Sequence, residues 1–201
     1  MVFGGAENEG LQLNEGTLWA AGPYDTSHPD ALKALPEARR LIFEGKYREA
    51  NHLIGAKMMA RPLQQMPYQP VGDLKLQFPG HREVSDYRRE LDLDTAIART
   101  TYIVGGVKYT REVFSSAVDQ VIVVHITADK PGQVSYTVGM ASPQKVSVEA
   151  AAPDVLLMQG TNGDARGIKG ALRFQARARV LTQGGKTGVE KNTLTVSNAD
   201  S

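Results

Sequence analysis

The sequence contains no cysteine. That absence excludes disulfides, thiol nucleophiles, zinc–cysteine sites and iron–sulfur clusters. No apolar run approaches the roughly 18–20 residues that a membrane-spanning helix needs, and the N-terminus lacks the basic and apolar regions of a signal peptide. An excess of one charge is also missing, because 23 Lys and Arg balance 22 Asp and Glu. A nucleic-acid binder needs a concentrated basic patch. We therefore expect neither a nucleic-acid partner nor a membrane partner.

What the chain does contain is enough apolar material for a core, since 41 % of its 201 residues are hydrophobic. A domain of this length buries on the order of 70 % of the surface that its unfolded chain exposes. We predict a single domain over residues 1–201. The balanced composition does not point to any one cellular compartment.

A helical pattern is confined to residues 27–60. Ser27 is a candidate cap for a first short helix. Pro36 is expected to begin a second helix, since proline is tolerated in a first turn and disruptive later. Beyond it, apolar residues recur at helical spacing on both sides of Gly45: Ala38, Leu41, Ile42, Tyr47, Ala50, Leu53, Ile54 and Met58. This pattern predicts a small helical hairpin inserted near the start of the domain.

From residue 72 onward the apolar period changes to two. Leu74, Leu76 and Phe78 alternate with polar residues, and two alternating runs flank Gly105-Gly106 as in a tight β-hairpin. Further strands are predicted around residues 121–126, 134–138, 172–180 and 194–196. Repeated short strands with turn signals favour a mainly β fold, an antiparallel β-sandwich of the supersandwich type. Because strand-like runs lie at both chain ends, we expect the sandwich to be truncated at both ends.

The acidic residues offer one pair for catalysis, Asp92 and Asp94. They lie two apart on a predicted strand, and glycosidases need two carboxyl groups flanking the scissile bond. The Asp94-Thr95 step is also typical of a solvated turn, which is the interpretation that we favour. The acids of the N-terminal loops are expected to be solvated as well: Glu7, Glu9 and Glu15.

None of the four histidines has the spacing of a helical metal motif. His52, on a helix, and His125, inside an apolar strand, are expected to be core residues. His81 follows Pro79-Gly80 in a turn and is the one expected to be accessible. We predict no metal site and no cofactor.

Two basic or glycine-rich stretches are interpreted as ordinary structure. Residues 161–170 fit neither the dinucleotide nor the P-loop pattern and precede a strand, so a long connecting loop is expected. The arginine row before residue 180 could bind an anion, but it is typical of the solvated face of a sheet: Arg173, Arg177 and Arg179.

Two loop segments offer the best candidates for binding. One holds Trp19, the only tryptophan, and the other, residues 66–74, holds Tyr68 and Gln69. Large amphipathic rings can stack on sugars, or they can anchor loops to the core, which is the interpretation that we favour for Trp19 and Tyr68. We name Trp19, Tyr68, Gln69 and His81 as candidate substrate-binding residues, and no catalytic residue.

Several segments resemble one known family in order along nearly the whole chain. The resemblance is carried by residues 11–24, 35–47, 68–74, 87–94, 109–114 and 119–124, which include the runs LQLNE, LPEARRLIFEGKY, YQPVGDL, YRRELDLD, YTREVF and DQVIVV. Together they are similar to the opening of bacterial α-L-fucosidases of glycoside hydrolase family 95, whose N-terminal domain resembles that of family 65.

The resemblance implies more than spacing could. It implies an N-terminal β-sandwich followed by a linker, a catalytic (α/α)6 barrel and a C-terminal β domain. It also implies inverting hydrolysis of α-linked L-fucose without a metal, with the catalytic residues in the barrel. The chain would then be a non-catalytic accessory domain that meets fucosylated glycans through the full-length enzyme. The alternatives are a stand-alone carbohydrate-binding module and a purely structural domain.

Overall fold

The computed structural model describes residues 1–201 and is mainly β, with 47 % strand and 12 % helix. The first half of the strands are β1 (Asn8–Leu13), β2 (Gly72–Gln77), β3 (Ser85–Asp92), β4 (Ile97–Val104), β5 (Val107–Ser116) and β6 (Val121–Ala128). The second half are β7 (Val134–Ala141), β8 (Lys145–Ala152), β9 (Val155–Thr161), β10 (Arg173–Arg179), β11 (Gly184–Glu190) and β12 (Thr193–Ala199). The two helices are α1 (Ala31–Phe43) and α2 (Tyr47–Lys57). Neither helix has the length or the apolar character that a membrane crossing requires.

The strands form three antiparallel sheets. Five strands pair in the order β1-β2-β7-β12-β11, three in the order β10-β9-β8, and four in the order β3-β4-β5-β6. Alternate residues of all three sheets contribute to one apolar core, through Leu76 and Val138 of the first sheet, Leu156 of the second and Ile126 of the third. The predicted antiparallel β-sandwich with a small helical hairpin is therefore confirmed.

The β4–β5 hairpin shows how local sequence sets the register of a sheet. Val104 pairs with Val107 across the two-residue loop Gly105-Gly106. Both glycines have positive φ, 57° and 74°, as the tight turns that match strand twist require. Side chains at every second residue of β5 are then buried, beginning at Val107 and including Tyr109 and Val113.

The helical hairpin begins later than predicted. Ser27 caps nothing, and α1 runs unbroken from Ala31 with Pro36 inside it. Pro36 does not restart the helix because it removes only the hydrogen bond to the carbonyl of Leu32, a residue on the exposed side of the first turn. The buried stripe of the hairpin is narrow, and three of its four residues are alanine: Ala34, Ala38, Leu41 and Ala50.

Backbone contacts divide the chain into two compact units. The first unit comprises residues 1–18, 69–161 and 173–201 and contains all twelve strands. The second unit comprises residues 19–68 and 162–172 and contains both helices. The glycine-rich stretch of residues 161–170 is the predicted connecting loop between β9 and β10, and most of it belongs to the second unit.

Candidate functional site

Trp19 and Tyr68, which are 49 residues apart in the sequence, lie against each other in the second unit. They form an isolated antiparallel bridge, and their ring centroids are 5.4 Å apart with the rings inclined at 74°. The Ala20 N–H donates to the Pro67 carbonyl at 2.9 Å, which holds the two segments side by side. Trp19 is 36 % and Tyr68 is 42 % exposed, so part of each ring meets solvent. The structure thus brings together two of the predicted binding residues.

Asn162, which the sequence did not single out, organises the backbone that carries Trp19. Its side chain is buried, with 5 % of the residue exposed. The Nδ2 group donates to the carbonyls of Trp19, at 2.6 Å, and of Ala21, while Oδ1 accepts from the Leu172 N–H at 3.0 Å. Both N–H donors and the carbonyl oxygen of the amide are therefore engaged. We call Asn162 with these three partners the asparagine clamp.

The loop around the asparagine clamp is closely packed. Ala21 donates its N–H to the Gly163 carbonyl at 2.8 Å, from a left-handed backbone with φ 70°. A Cβ at Gly170 would lie 2.1 Å from the Asn162 carbonyl oxygen, so only glycine fits there. An asparagine inside a glycine-rich run is the sequence signal that could have located the clamp, because such runs allow close backbone approach.

Gln69, the third predicted binding residue, follows Tyr68 directly in the chain and belongs to the first unit. It is half-buried, and its N–H donates to the Leu18 carbonyl at 2.9 Å. A role of Gln69 in sugar binding stays a prediction.

The expectation that His81 is accessible is wrong. Only 7 % of the residue is exposed, and its ring packs among aromatic rings, 4.5 Å from Tyr109 and 5.5 Å from Phe78 between centroids. Its Nδ1 lies 3.0 Å from the Tyr102 hydroxyl. Burial, together with the nearby Arg111 charge, lowers the pKa of His81. The turn hydrogen bond to Phe78 directs the ring inward, so His81 has no surface from which to contact a glycan.

The other two histidine predictions are also reversed. His52 lies on the exposed side of α2. His125 has a side chain that is 55 % exposed, because it pairs across from Glu112 on the solvated face of the third sheet. The apolar run around His125 concealed the alternation of its strand, and the partner strand determines which face is buried.

A buried ion pair occupies the interior of the first unit, where the sequence predicted a solvated Glu9. The Arg111 Nη1 donates to Glu9 Oε2 at 2.7 Å, and the two side chains are 1 % and 0 % exposed. The other Glu9 oxygen accepts from the N–H groups of Gly4 and Gly10, each at 2.9 Å. Arg111 lies on the same face of β5 as buried Tyr109 and Val113. Its place in this alternating series is the feature of the sequence from which its burial could have been predicted.

Arg111 also contacts residues other than Glu9. Its Nη1 donates to the Gly5 carbonyl at 2.8 Å, and its guanidinium lies 4.2 Å from the Phe78 ring centroid in a cation–π contact. The Arg111 Nε is buried without a partner. Burial raises the pKa of the neighbouring Tyr102 to about 12, which keeps this hydroxyl protonated. These contacts fix the segment before β1 to the interior of the first unit.

The carboxyl groups do not form an acid–base pair. Asp92 ends β3, and its Oδ1 accepts from the N–H groups of Asp94, at 2.9 Å, and Thr95, so the favoured turn interpretation is confirmed. Where a carboxyl pKa departs from its usual value it is lowered, by hydrogen bonds or cationic partners, at Glu15, Asp25, Glu37, Glu44, Glu90, Asp92, Glu112 and Asp164. A general acid needs the opposite shift.

The charged rows on the sheets are solvated, as predicted for the arginines of β10. Arg173, Arg177 and Arg179 are exposed, and Arg179 pairs with Asp154 at 3.0 Å. No group of three or more His, Asp or Glu side chains is arranged to hold a metal ion.

The fold defines a β-sandwich domain, and the exposed Trp19–Tyr68 ring pair is its candidate functional surface. Residues 1–201 match the family described as glycosyl hydrolase family 65, N-terminal domain, and the chain belongs to that family.

Curated relatives specify the resemblance further. The chain is 44 % identical over 144 residues to alpha-L-fucosidase 2 of Arabidopsis thaliana, a match covering 70 % of this chain and 17 % of that protein. It is 30 % identical over 135 residues to the probable alpha-fucosidase A of Aspergillus oryzae, covering 64 % of this chain and 18 % of that protein. The corresponding protein of Aspergillus niger is 28 % identical over 140 residues, covering 64 % and 16 %. The chain thus matches less than a fifth of the length of these relatives, and its predicted resemblance to α-L-fucosidases is confirmed.

Proposed function

We propose that this chain is the N-terminal, non-catalytic domain of an enzyme that hydrolyses α-linked L-fucose from glycans with inversion. The observation that carries the proposal is the family match over residues 1–201 together with relatives named as α-fucosidases. In the proposal the domain spans residues 1–201 and supports a catalytic (α/α)6 barrel of the same polypeptide.

The chemistry of the carboxyl groups supports a non-catalytic role. Inverting hydrolysis needs a protonated acid and a base roughly 6.5–9.5 Å apart. That acid depends on an enclosed setting that raises its pKa. The candidate pair here shares one turn, where the Asp92 carboxylate accepts two backbone N–H groups and has a lowered pKa. Protonation of Asp92 would weaken both hydrogen bonds, because a neutral carboxyl group is a weaker acceptor than a carboxylate.

Within this proposal, Trp19 and Tyr68 lend a sugar-contacting surface to the substrate cleft. Their partly exposed rings and the backbone bridge between them support this role, because a prepositioned aromatic surface loses little conformational freedom on binding. Gln69 is proposed as a further polar contact to the glycan. Fucosylated glycans would meet the domain only together with the barrel.

The exposed ring pair also favours one alternative, a carbohydrate-binding module that holds glycans without a barrel. Calorimetric titration of the chain with fucosylated oligosaccharides distinguishes the two functions. Only a binding module should release heat in the absence of the barrel. A purely structural domain predicts no heat and no kinetic effect of the two rings.

The direct test of the leading proposal incubates the purified chain with 2′-fucosyllactose and measures free fucose. We expect none. Turnover that persists after removal of trace full-length enzyme, and disappears when Asp92 or Asp94 is replaced by Asn, would contradict the proposal.

The second test uses the full-length enzyme. Replacing Trp19 or Tyr68 by Ala should lower kcat/KM for 2′-fucosyllactose if the rings contact substrate. Unchanged kinetics with only a lower melting temperature would instead favour the purely structural domain.

A further inference from the structure

The ring pair depends on a residue that is remote in sequence from both rings. Trp19 and Asn162 are 143 residues apart, yet the Asn162 Nδ2 donates to the Trp19 carbonyl at 2.6 Å. The same amide bonds the backbone two residues later, at Ala21. Because the carbonyls of Trp19 and Ala21 bind one rigid planar group, the peptide planes that follow these two residues are fixed relative to each other.

Two backbone hydrogen bonds also hold this segment. The Ala20 N–H donates to Pro67, the residue that precedes Tyr68, at 2.9 Å. The Ala21 N–H donates to Gly163, the residue that follows Asn162, at 2.8 Å. The backbone of Trp19 is therefore held between the segment of Pro67 and Tyr68 and the loop of Asn162. In the loop, the support comes from the buried polar side chain of Asn162.

We infer that Asn162 is a positioning residue for the Trp19–Tyr68 surface, so that its amide sets the angle at which the indole meets a sugar. The contact with a sugar rests on the proposed function. The placement of Trp19 by Asn162 rests on the hydrogen-bond geometry alone. Asparagine suits the task because one neutral side chain supplies two donors and one acceptor in a plane. An aspartate of nearly equal shape has no donors and would carry a charge into a site that is 5 % exposed.

The positioning can be measured in the chain itself, because Trp19 is its only tryptophan. Asn162→Asp should shift the Trp19 emission to longer wavelength and increase its quenching by acrylamide, with the far-ultraviolet circular dichroism of the sheets unchanged. Leu41→Ala is the matched destabilising control. It opens space in the buried stripe of α1 but removes no bond to the Trp19 segment, so its native emission should equal that of the parent chain.

A second control tests whether the effect depends on position 162 or on the Asn-to-Asp replacement itself. Asn192→Asp makes the same replacement in the exposed turn between β11 and β12 and should leave Trp19 emission unaltered. Should Asn162→Asp fail to fold, Asn162→Ser keeps one uncharged donor and permits the same comparison. Emission and quenching identical to the parent chain, in a folded Asn162 variant that melts as early as Leu41→Ala, would overturn the inference.

The sugar part of the inference is read in the full-length enzyme. Asn162→Asp should raise KM for 2′-fucosyllactose about tenfold, corresponding to about 1.4 kcal/mol, with a smaller change in kcat. A changed Trp19 signal with unchanged KM would refute the sugar surface, and with it the proposed role of the rings, while the positioning itself stands. An unchanged Trp19 signal refutes the positioning, whatever the enzyme binds.

Discussion

The two units of this chain each contain a buried polar side chain that holds several backbone segments, and only one of the two is charged. In the first unit Arg111 binds the Glu9 carboxylate and the Gly5 carbonyl, and its Nε has no partner. In the second unit the Asn162 amide has every group engaged. The attraction between Arg111 and Glu9, together with the other hydrogen bonds of Glu9, must offset the cost of desolvating two charges. The neutral Asn162 amide carries no such cost but depends on complete pairing of its donors and acceptor.

The largest expected effect comes from breaking the ion pair. Arg111→Met leaves the Glu9 carboxylate buried with only glycine N–H groups, and we expect a loss of about 3–5 kcal/mol in the free energy of unfolding. Urea denaturation measures it. The double variant Glu9→Gln with Arg111→Met should recover part of the loss, since no unpaired charge remains.

A matched control for the ion pair lies on the solvated face of the third sheet. There Arg99 pairs with Glu90 and Glu112 at 3.1 and 2.7 Å, and its side chain is 38 % exposed. Arg99→Met should change the urea midpoint far less than Arg111→Met, because water and salt screen exposed pairs. Equal losses from the two variants would mean that burial does not distinguish them.

The asparagine clamp should contribute less to the free energy of unfolding than the ion pair does. Asn162→Ala removes three hydrogen bonds, but those to the Trp19 carbonyl and from the Leu172 N–H are only part-buried, and the Ala21 carbonyl keeps the Ala171 N–H at 3.4 Å. Because water can replace part of the lost bonding, we expect a total cost of about 1–3 kcal/mol. We expect a total loss below that of Arg111→Met, measured by the same denaturation. A larger loss for Asn162→Ala than for Arg111→Met would reverse the expected order of the asparagine clamp and the ion pair.

The acid sensitivity of the first unit follows from His81. Its pKa is lowered in the folded state by burial and by Arg111, so below about pH 6.5 the unfolded chain binds more protons than the folded one. Stability is therefore complete above the unfolded pKa and is lost as pH falls through the folded value. Denaturation at pH 7.5 and pH 5.5 (about one unit either side of the usual value) should show this loss, and His81→Gln should reduce it. The control His52→Gln, on the exposed side of α2, should retain the loss that His81 causes.

The smallest effect on stability is expected at the exposed rings. Tyr68→Leu removes an edge-to-face contact whose specific contribution is about 0.5–1.5 kcal/mol. The melting temperature should fall slightly, as measured by circular dichroism. A marked fall would identify Tyr68 as a loop anchor, the other role that its sequence allowed.

Patterns of local origin predicted the fold well. The period-two runs and Gly105-Gly106 predicted the β4–β5 hairpin because turn geometry depends on the two glycines themselves. The helix start was misplaced because Ser27 has the right chemistry for a cap, while the chain remains non-helical until Ala31. Neither capping residues nor an internal Pro36 decides a boundary that tertiary packing sets.

Properties that depend on partners remote in the chain could not be predicted from spacing. Glu9 is buried because Arg111, 102 residues later, meets it. His125 is exposed because Glu112 fixes its face, and His81 is buried because the rings of other strands enclose it. Trp19 and Tyr68 were identified as candidates by residue type alone, but their support by Asn162 requires knowing which loop returns to them.

The divided sequence of the second unit bears on how the protein is synthesised and folds. Residues 19–68 leave the ribosome first, but residues 162–172, which complete the unit, follow only after the strands from β2 to β9. Contacts across such a separation form slowly, since a long loop must close before they stabilise anything. Trp19 therefore reaches its final environment only after residues 162–172 have been synthesised, when strands β1 to β9 have already been made.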